Sequence, residues 1–193
     1  MKRTIIFVTI CTLTAFGFLY GKTQDTISLH VKDLGDDTHQ IDAYLKMQAP
    51  EEMMWKIISE YEQTPTFVSS IKTSKVLKRE KDKVLLDMHG GGWFVVNIDV
   101  HLLLDITEIV DRKKIDYTET SGDEFSTFKG FWEVTKEGEK SIIHLSLVEK
   151  PKRSYFGLTR MIIKSSITGL FESMEKKVQK DLKELAIQAP KKP

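Results

Sequence analysis

Residues 93–106 read WFVVNIDVHLLLDI and decide the fold of the chain. Every second residue from Phe94 to Leu104 is apolar, and Asn97, Asp99 and His101 fall between them. This period of two predicts a β-strand with one apolar face, because successive side chains of a strand point to opposite sides of the sheet. A strand of this length, apolar along one whole face, predicts a strongly curved sheet over a core.

Further strands are predicted on both sides of this stretch. Residues 41–48 alternate in the same way and form a first strand. Pro50 follows at a position where a helix begins, and Pro65 ends the helical pattern that carries Trp55. A second short helical turn leads into a meander of six strands separated by turn residues. The six are residues 72–79, 83–89, 93–106, 113–119, 126–135 and 140–149.

The last part of the chain is predicted to be one long helix. Between residues 157 and 186 apolar side chains recur every three or four positions, which gives an amphipathic helix roughly 45 Å long. The resulting fold is α+β, with an antiparallel sheet of about seven strands curled around this helix. A concave sheet closed by a single helix tends to enclose a space, so the sequence predicts an apolar cavity between them.

Two groups of residues resemble a known family. The first group is APEE (49–52), WKII (55–58) and YEQTPTFV (61–68), and the second is SGD (121–123) followed by Phe128, Gly130 and Trp132. In this order they resemble the coenzyme Q-binding START family, also described as polyketide cyclase/dehydrase, of the SRPBCC superfamily. The resemblance implies a START-like helix-grip domain, here residues 39–187, that binds a lipid, quinone or polyketide-like molecule. Glu124, inserted before the aromatic strand, departs from the family pattern.

The parity of the strands and the apolar residues of the helix predict which side chains face the cavity. The expected ligand-contacting residues are Phe94, Val96, Ile98, Val100, Phe128, Trp132, Met161, Ile163, Ile167, Leu170 and Phe171. Gly169 is expected to open space on the same helix face, whereas Val178, Leu182 and Leu185 are expected to pack solidly. Each of these apolar residues is also an ordinary core residue. A cavity filled by the protein's own side chains is therefore an alternative.

No catalytic residue, metal ligand or cofactor site is predicted. The 5 histidines lack the paired spacing of a metal site, and no glycine-rich phosphate loop follows a strand. Tyr44 and Tyr117 are the arguable titratable groups inside the cavity. The leading hypothesis is a non-enzymatic protein that binds or transfers a hydrophobic small molecule. The alternative is a cyclase or dehydratase that acts on a polyketide-like substrate in the same cavity.

The N-terminus has the features of an export signal. Met1-Lys2-Arg3 supplies positive charge, and residues 4–20 carry no charge. Residues 1–21 are therefore predicted to be a signal peptide, or a membrane anchor if they are not cleaved, followed by a polar linker at 22–38. Periplasm or cell envelope is the expected location. The one cysteine, Cys11, lies within this segment, and residues 188–193 are predicted to be a disordered tail.

The charge distribution limits the choice of partners. With 29 Lys and Arg against 28 Asp and Glu, the chain lacks the broad basic footprint that nucleic-acid binding needs. Basic residues are in excess from residue 150 onwards. This excess is typical of a solvated lysine-rich helix face, and weak contact of the cluster of Lys150, Lys152, Arg153 and Arg160 with an anionic membrane surface is the alternative.

Overall fold

A computed structural model describes residues 26–93, 96–122, 124–153 and 157–188. The first elements are β1 (Thr26–Gly35), β2 (Thr38–Met47), α1 (Glu51–Ser59), a 3-10 helix (Tyr61–Thr66) and β3 (Ile71–Glu80). They are followed by β4 (Lys83–Trp93), β5 (Val96–Ile109), a 3-10 turn (Val110–Arg112), β6 (Lys114–Ser121), β7 (Phe125–Glu137), β8 (Lys140–Pro151) and α2 (Thr159–Gln188). The strands form one antiparallel sheet in the order β1-β2-β8-β7-β6-β5-β4-β3. The predicted α+β helix-grip architecture is confirmed, with eight strands in the described residues in place of about seven.

The additional strand is β1, which lies within the stretch predicted to be a polar linker. Ile27, Leu29 and Val31 alternate with polar residues and pack against the core. β1 pairs with β2 along its length, with Ile27 opposite Leu45. The prediction is corrected here: part of the stretch at 22–38 is an edge strand. Its one apolar face is only three residues long, which explains why the segment reads as polar overall.

The solid part of the core lies where β2 and β8 pair. Ile41, Ala43 and Leu45 stand directly opposite Leu147, Leu145 and Ile143, and all six are buried. Met54 of α1 and Val178 of α2 belong to the same cluster. The pairs of Ile41 with Leu147 and of Leu45 with Ile143 bring two large side chains to the inner face of the sheet, which is the packing that stabilises an antiparallel pair. This cluster holds α2 against the sheet.

The two faces of α2 differ from the prediction at two points. Val178 is buried and Leu182 packs partly against the core, as predicted, but Leu185 is 54% exposed and does not pack solidly. Gly169, predicted to face the cavity, lies on the exposed side, and no atom lies within 4 Å of the position that a Cβ would take. Its absent side chain therefore opens no space inside the protein.

The segments at the two chain ends lie outside the described residues. They include the predicted signal peptide or anchor at 1–21 and nearly all of the predicted tail, although Gln188 still belongs to α2. Within the described ranges, no helix combines the length and the hydropathy needed to cross a bilayer.

Candidate functional site

A cavity of about 280 Å³ lies between the inner face of the sheet and the first half of α2. Strands β3 to β8 provide most of its wall, α2 covers it, and Ile57 and Ile58 of α1 contribute at one side. Most of the lining is aliphatic or aromatic. The apolar side chains include Leu86, Met88, Leu102, Leu104, Ile106, Ile115, Leu145, Leu147, Ile162 and Met174. The prediction of an apolar space between sheet and helix therefore has a structural counterpart, and in the described residues protein side chains do not fill it.

Six of the residues predicted to contact ligand line this cavity. They are Val100, Phe128, Trp132, Ile163, Ile167 and Leu170. Phe94 lies outside the described residues, and Val96 and Ile98 are described by their backbone in β5 alone. The two remaining predicted residues, Met161 and Phe171, are not part of the wall.

Phe171 and Met161 have other surroundings. Phe171 is fully buried, and its ring stacks on that of Trp132 at a centroid distance of 5.8 Å, so it supports the wall from behind. Met161 is 45% exposed and lies on the outer side of α2 beside Arg160 and Lys164. Residue 161 is two positions from Ile163, which places it about 200° away around an α-helix, whereas residues 167 and 170 return to the inner face. We therefore omit Met161 from the site.

Glu149 is the buried carboxylate of the cavity, and it was not among the residues predicted from the sequence. Its side chain belongs to the inner face of β8, where Ile143, Leu145 and Leu147 precede it at every second position, and the residue is 8% exposed. Burial raises the pKa of Glu149 to about 7, because a charged carboxylate is poorly solvated in an apolar environment. The signal was present in the sequence, since the alternation of β8 continues through residue 149.

Tyr117 is a second ionisable residue of the cavity wall, close enough to Glu149 for the charge of that carboxylate to act on it. The tyrosine is buried in the cavity wall, as predicted, whereas Tyr44 is on the outer side of the sheet and stacks on His144 at 4.3 Å. Burial raises the pKa of Tyr117, and the negative charge of Glu149 raises it further. The phenol is therefore neutral at physiological pH and is able to donate or accept a hydrogen bond.

Gly130 makes room for Tyr117. Tyr117 and Gly130 are partners in the pairing of β6 with β7, and the tyrosine hydroxyl oxygen lies 2.8 Å from the position that a Cβ on Gly130 would take. A side chain there would also meet the carbonyl oxygen of Ser146 at 2.0 Å. The glycine in the Phe-x-Gly-x-Trp segment thus permits a close approach of β8 and Tyr117, while Phe128 and Trp132 line the cavity on either side.

Tyr61 occupies the other side of the cavity and has its own partners. Its hydroxyl donates to Glu108 Oε1 at 2.8 Å, and Arg79 Nη1 donates to Glu108 Oε2 at 2.7 Å. Burial and this carboxylate raise the pKa of Tyr61. Ser74 is also part of this wall, and its hydroxyl is buried without a hydrogen-bond partner among the described residues.

His101 and Asp99 of the long strand β5 lie away from the apolar interior. His101 Nε2 is 2.6 Å from Asp87 Oδ1, and Asp99 pairs with Lys72 at 3.0 Å, both at exposed positions. Within the described ranges, no group of three or more His, Cys, Asp or Glu side chains is arranged to hold a metal ion. Among the ionisable residues of the described lining, Glu149 and Tyr117 are the buried pair whose charges interact.

Comparison with known proteins gives a family and a fold. The family model described as "Polyketide cyclase / dehydrase and lipid transport" matches residues 47–184. That range begins at the end of β2 and includes the whole cavity wall and most of α2. A search of the curated proteins gave no significant match.

Solved structures with a similar fold include three from bacteria. A START superfamily protein from Mycobacterium smegmatis is 16% identical with a TM-score of 0.64, and the match covers 73% of this chain and 97% of that one. A STAR-related lipid transfer protein from Xanthomonas axonopodis is 11% identical with a TM-score of 0.62, covering 79% and 93%. An aromatase/cyclase from Streptomyces sp. R1128 is 9% identical with a TM-score of 0.59, covering 73% and 96%. At these identities the likeness is one of fold.

Proposed function

Since the chain belongs to the polyketide cyclase / dehydrase and lipid transport family, we propose that it binds or transfers a hydrophobic small molecule without catalysing a reaction. The observation that carries the proposal is the apolar cavity of about 280 Å³ between the sheet and α2. Its volume is near the lower end of the roughly 300–1,000 Å³ common for ligand pockets. This size suits one ring system or one acyl chain. A lipid, a quinone or a polyketide-like molecule meets that description, and the coenzyme Q-binding subtype stays a prediction.

A change that fills the cavity tests this proposal. We expect Ile167→Trp to weaken binding of the neutral apolar dye N-phenylnaphthylamine at least about tenfold, because the indole takes up volume that the dye needs. Ile167 lines the cavity and is only partly buried, so the helix can accommodate the larger side chain. The measurement is a fluorescence titration of the purified protein with the dye.

Gly169→Leu is the matched control for this experiment. It adds a large apolar side chain two residues further along α2, on the exposed face, and we expect unchanged dye affinity. Leucine is also the better helix former by somewhat under about 1 kcal/mol. Weaker dye binding in Gly169→Leu, with normal binding in Ile167→Trp, would show that the dye binds elsewhere and would contradict the proposed site.

The second candidate function is that of a cyclase or dehydratase. Tyr117 and Glu149 favour it, because such chemistry needs a group inside the cavity that moves a proton. A carboxyl group with a pKa of about 7 is suited to general acid or base catalysis near neutral pH. Turnover of a polyketide-like substrate that is abolished in Glu149→Gln would support the enzyme. Recovery of bound ligand unchanged would support the binding protein.

We also propose that the protein is exported to the periplasm or cell envelope. The support is the charged start and the uncharged run at residues 4–20. A reporter enzyme fused after Lys22 should be active outside the cytoplasm. Activity restricted to the cytoplasm would contradict export.

Basic and apolar side chains at the start of α2 support contact with an anionic membrane. Arg160, Met161 and Lys164 line one shallow groove on the outer side of the helix. Leu158 and Met161 are 43% and 45% exposed. Basic groups near an anionic bilayer contribute roughly 1 kcal/mol each, and exposed apolar side chains can enter its interface. We propose that this end of the protein touches the membrane during ligand transfer.

Charge reversal tests the membrane contact. We expect Arg160→Glu combined with Lys164→Glu to weaken binding to phosphatidylserine-containing vesicles at least about tenfold, measured by vesicle co-sedimentation. The matched control is Lys180→Glu combined with Lys183→Glu, which makes the same change of net charge at exposed positions far along α2. An equal loss in both double variants would indicate attraction by net charge alone and would overturn this membrane surface.

A further inference from the structure

One end of the cavity is polar and acidic. Glu149 of β8 pairs with Phe128, and Glu124, which precedes β7, accepts a hydrogen bond at its carbonyl oxygen from Lys152 N just beyond the end of β8. Tyr117 is close enough for the charge of Glu149 to act on its hydroxyl, and Thr159 and Ser166 of α2 also line the cavity. The described lining of the cavity contains these two carboxylates and no lysine or arginine. A ligand that enters the cavity therefore meets both of its carboxylates near the same end of the β7–β8 pair.

The two central groups of this end have unused hydrogen-bonding capacity. Burial alone accounts for the altered pKa of Glu149, with no hydrogen bond or opposite charge contributing from the described residues. For Tyr117 the causes are burial and the charge of Glu149, again without a hydrogen bond from the part of the chain that the structure describes. Ser166, by contrast, donates its hydroxyl to the carbonyl oxygen of Ile162. A buried polar group without a partner is costly, so a ligand group that hydrogen-bonds to Glu149 gains affinity.

The sign of the charge decides which ligand groups fit. A ligand carboxylate or phosphate placed here would lie beside two acidic side chains, and the described lining offers no lysine or arginine to offset them. The histidines nearby are His89, an exposed lining residue of β4, and His39, the buried cross-strand partner of Glu149. The N-terminal end of α2 contributes only a partial positive charge of roughly half a unit. A hydroxyl or an amine can donate a hydrogen bond to Glu149, and a protonated amine adds ionic attraction when this carboxyl group is ionised.

We propose that Glu149 anchors a hydrogen-bond-donating group, a hydroxyl or an amine, of an otherwise apolar ligand, and that the cavity discriminates against anionic ligands. This inference rests on the proposed binding function and narrows its ligand class. Tyr117 supports the anchor as a second hydrogen-bonding group beside the carboxyl group. The apolar part of the ligand lies along the wall formed by residues such as Phe128, Trp132 and Ile167.

Three probes with the same dodecyl chain test the proposal. Dodecanol, dodecylamine and dodecanoic acid compete with bound N-phenylnaphthylamine on the purified full chain at neutral pH. We expect the alcohol and the amine to bind at least tenfold more tightly than the acid, which corresponds to about 1.4 kcal/mol. Tighter binding of the acid, or equal binding of all three, would overturn the proposal.

Two substitutions separate the hydroxyl from the amine. In Glu149→Leu we expect the preference for both donors to fall at least tenfold. In Glu149→Gln we expect alcohol binding to be kept, because the amide still accepts a hydrogen bond, and amine binding to fall, because no ionised partner is left. If Glu149→Leu and Glu149→Gln both lose affinity for dodecylamine and keep their affinity for dodecanol, the anchored ligand group is an amine. Loss of alcohol binding in Glu149→Leu, with little change for the amine, assigns it as a hydroxyl.

A control variant and the dye itself make the outcomes distinguishable. Glu172→Leu removes an exposed carboxylate from the outer side of α2 and should leave all three probe affinities unchanged. If the dye and every probe fail to bind the wild-type chain, the proposed binding function fails. If the dye binds normally and Glu149→Leu has the probe preferences of the wild type, only the anchoring role of Glu149 fails.

Discussion

Gly130→Ala is expected to lower the free energy of unfolding by about 3 kcal/mol, the upper part of the usual range for overpacking a protein core. The added Cβ would lie 2.0 Å from the carbonyl oxygen of Ser146 and 2.9 Å from Leu147 Cα, both backbone atoms of β8. Neither backbone atom can rotate away from the added Cβ. β7 and β8 would therefore have to move apart at a point where their residue pairing is continuous. Chemical denaturation of both proteins measures the difference.

Gly169→Ala is the matched control for this substitution. The added methyl group on α2 meets no atom within 4 Å, so we expect a gain of about 1 kcal/mol from helix propensity. The same chemical change thus has opposite effects at the two glycines. A Gly130→Ala protein as stable as the wild type would contradict the close approach of β8.

A double variant identifies which contact matters at Gly130. Tyr117→Phe removes the hydroxyl that lies 2.8 Å from the position that the added Cβ would take, but it leaves the backbone of β8 in place. We expect Gly130→Ala combined with Tyr117→Phe to recover little stability. Full recovery would assign the strain to the tyrosine and not to the strand.

Alternation and helical period were sufficient to predict most of the fold. The alternation of β8 and the apolar stripe of α2 leave few other ways to bury their faces, so the curved sheet and the covering helix followed from the sequence. β1 was missed because an edge strand buries little and Ile27, Leu29 and Val31 form a short apolar face. Edge strands also carry polar residues that resemble those of a linker.

The site was predicted less completely, because a cavity depends on distances between elements. Sequence parity separates the two faces of a strand, but it does not distinguish a residue that lines a space from one that packs behind it, as Trp132 and Phe171 illustrate. Met161 was included for its apolar character, although the helical period places it on the outer face. Glu149 was missed because an acidic residue is expected at the surface.

Glu149→Gln is expected to stabilise the folded protein by about 3 kcal/mol above neutral pH and to have little effect near pH 4. Burial raises the pKa of Glu149 from an ordinary 4.5 to about 7. Below the lower value the carboxyl group is protonated in both the folded and the unfolded chain, so it costs nothing. Between the two values the unfolded chain ionises first, and the free energy of unfolding of the wild type falls as pH rises. Glutamine is neutral throughout and avoids this loss.

Three other ionisable residues near Glu149 are kept in both proteins. Tyr117 and Glu124 line the same end of the cavity, and His39 of β2 is the cross-strand partner of Glu149, with its Nδ1 atom buried and without a partner among the described residues. All three are present in both proteins, so the comparison reports the effect of the substitution at Glu149 alone. Denaturant unfolding of ligand-free protein from about pH 4 to about pH 8 measures the difference directly.

The pH dependence of the difference in unfolding free energy between the two proteins tests this prediction. The difference in unfolding free energy should rise between about pH 4.5 and about pH 7 and then level off, which is the linkage expected of a carboxyl group that folding makes a weaker acid. Glu172→Gln, at an exposed position of α2, should show no such rise. A difference for Glu149→Gln that is constant across this range would mean that Glu149 ionises normally in the folded protein. The carboxyl group would then be either solvated or paired with another group. That result would contradict the assignment of Glu149 as a buried carboxyl group without a partner at the polar end of the cavity.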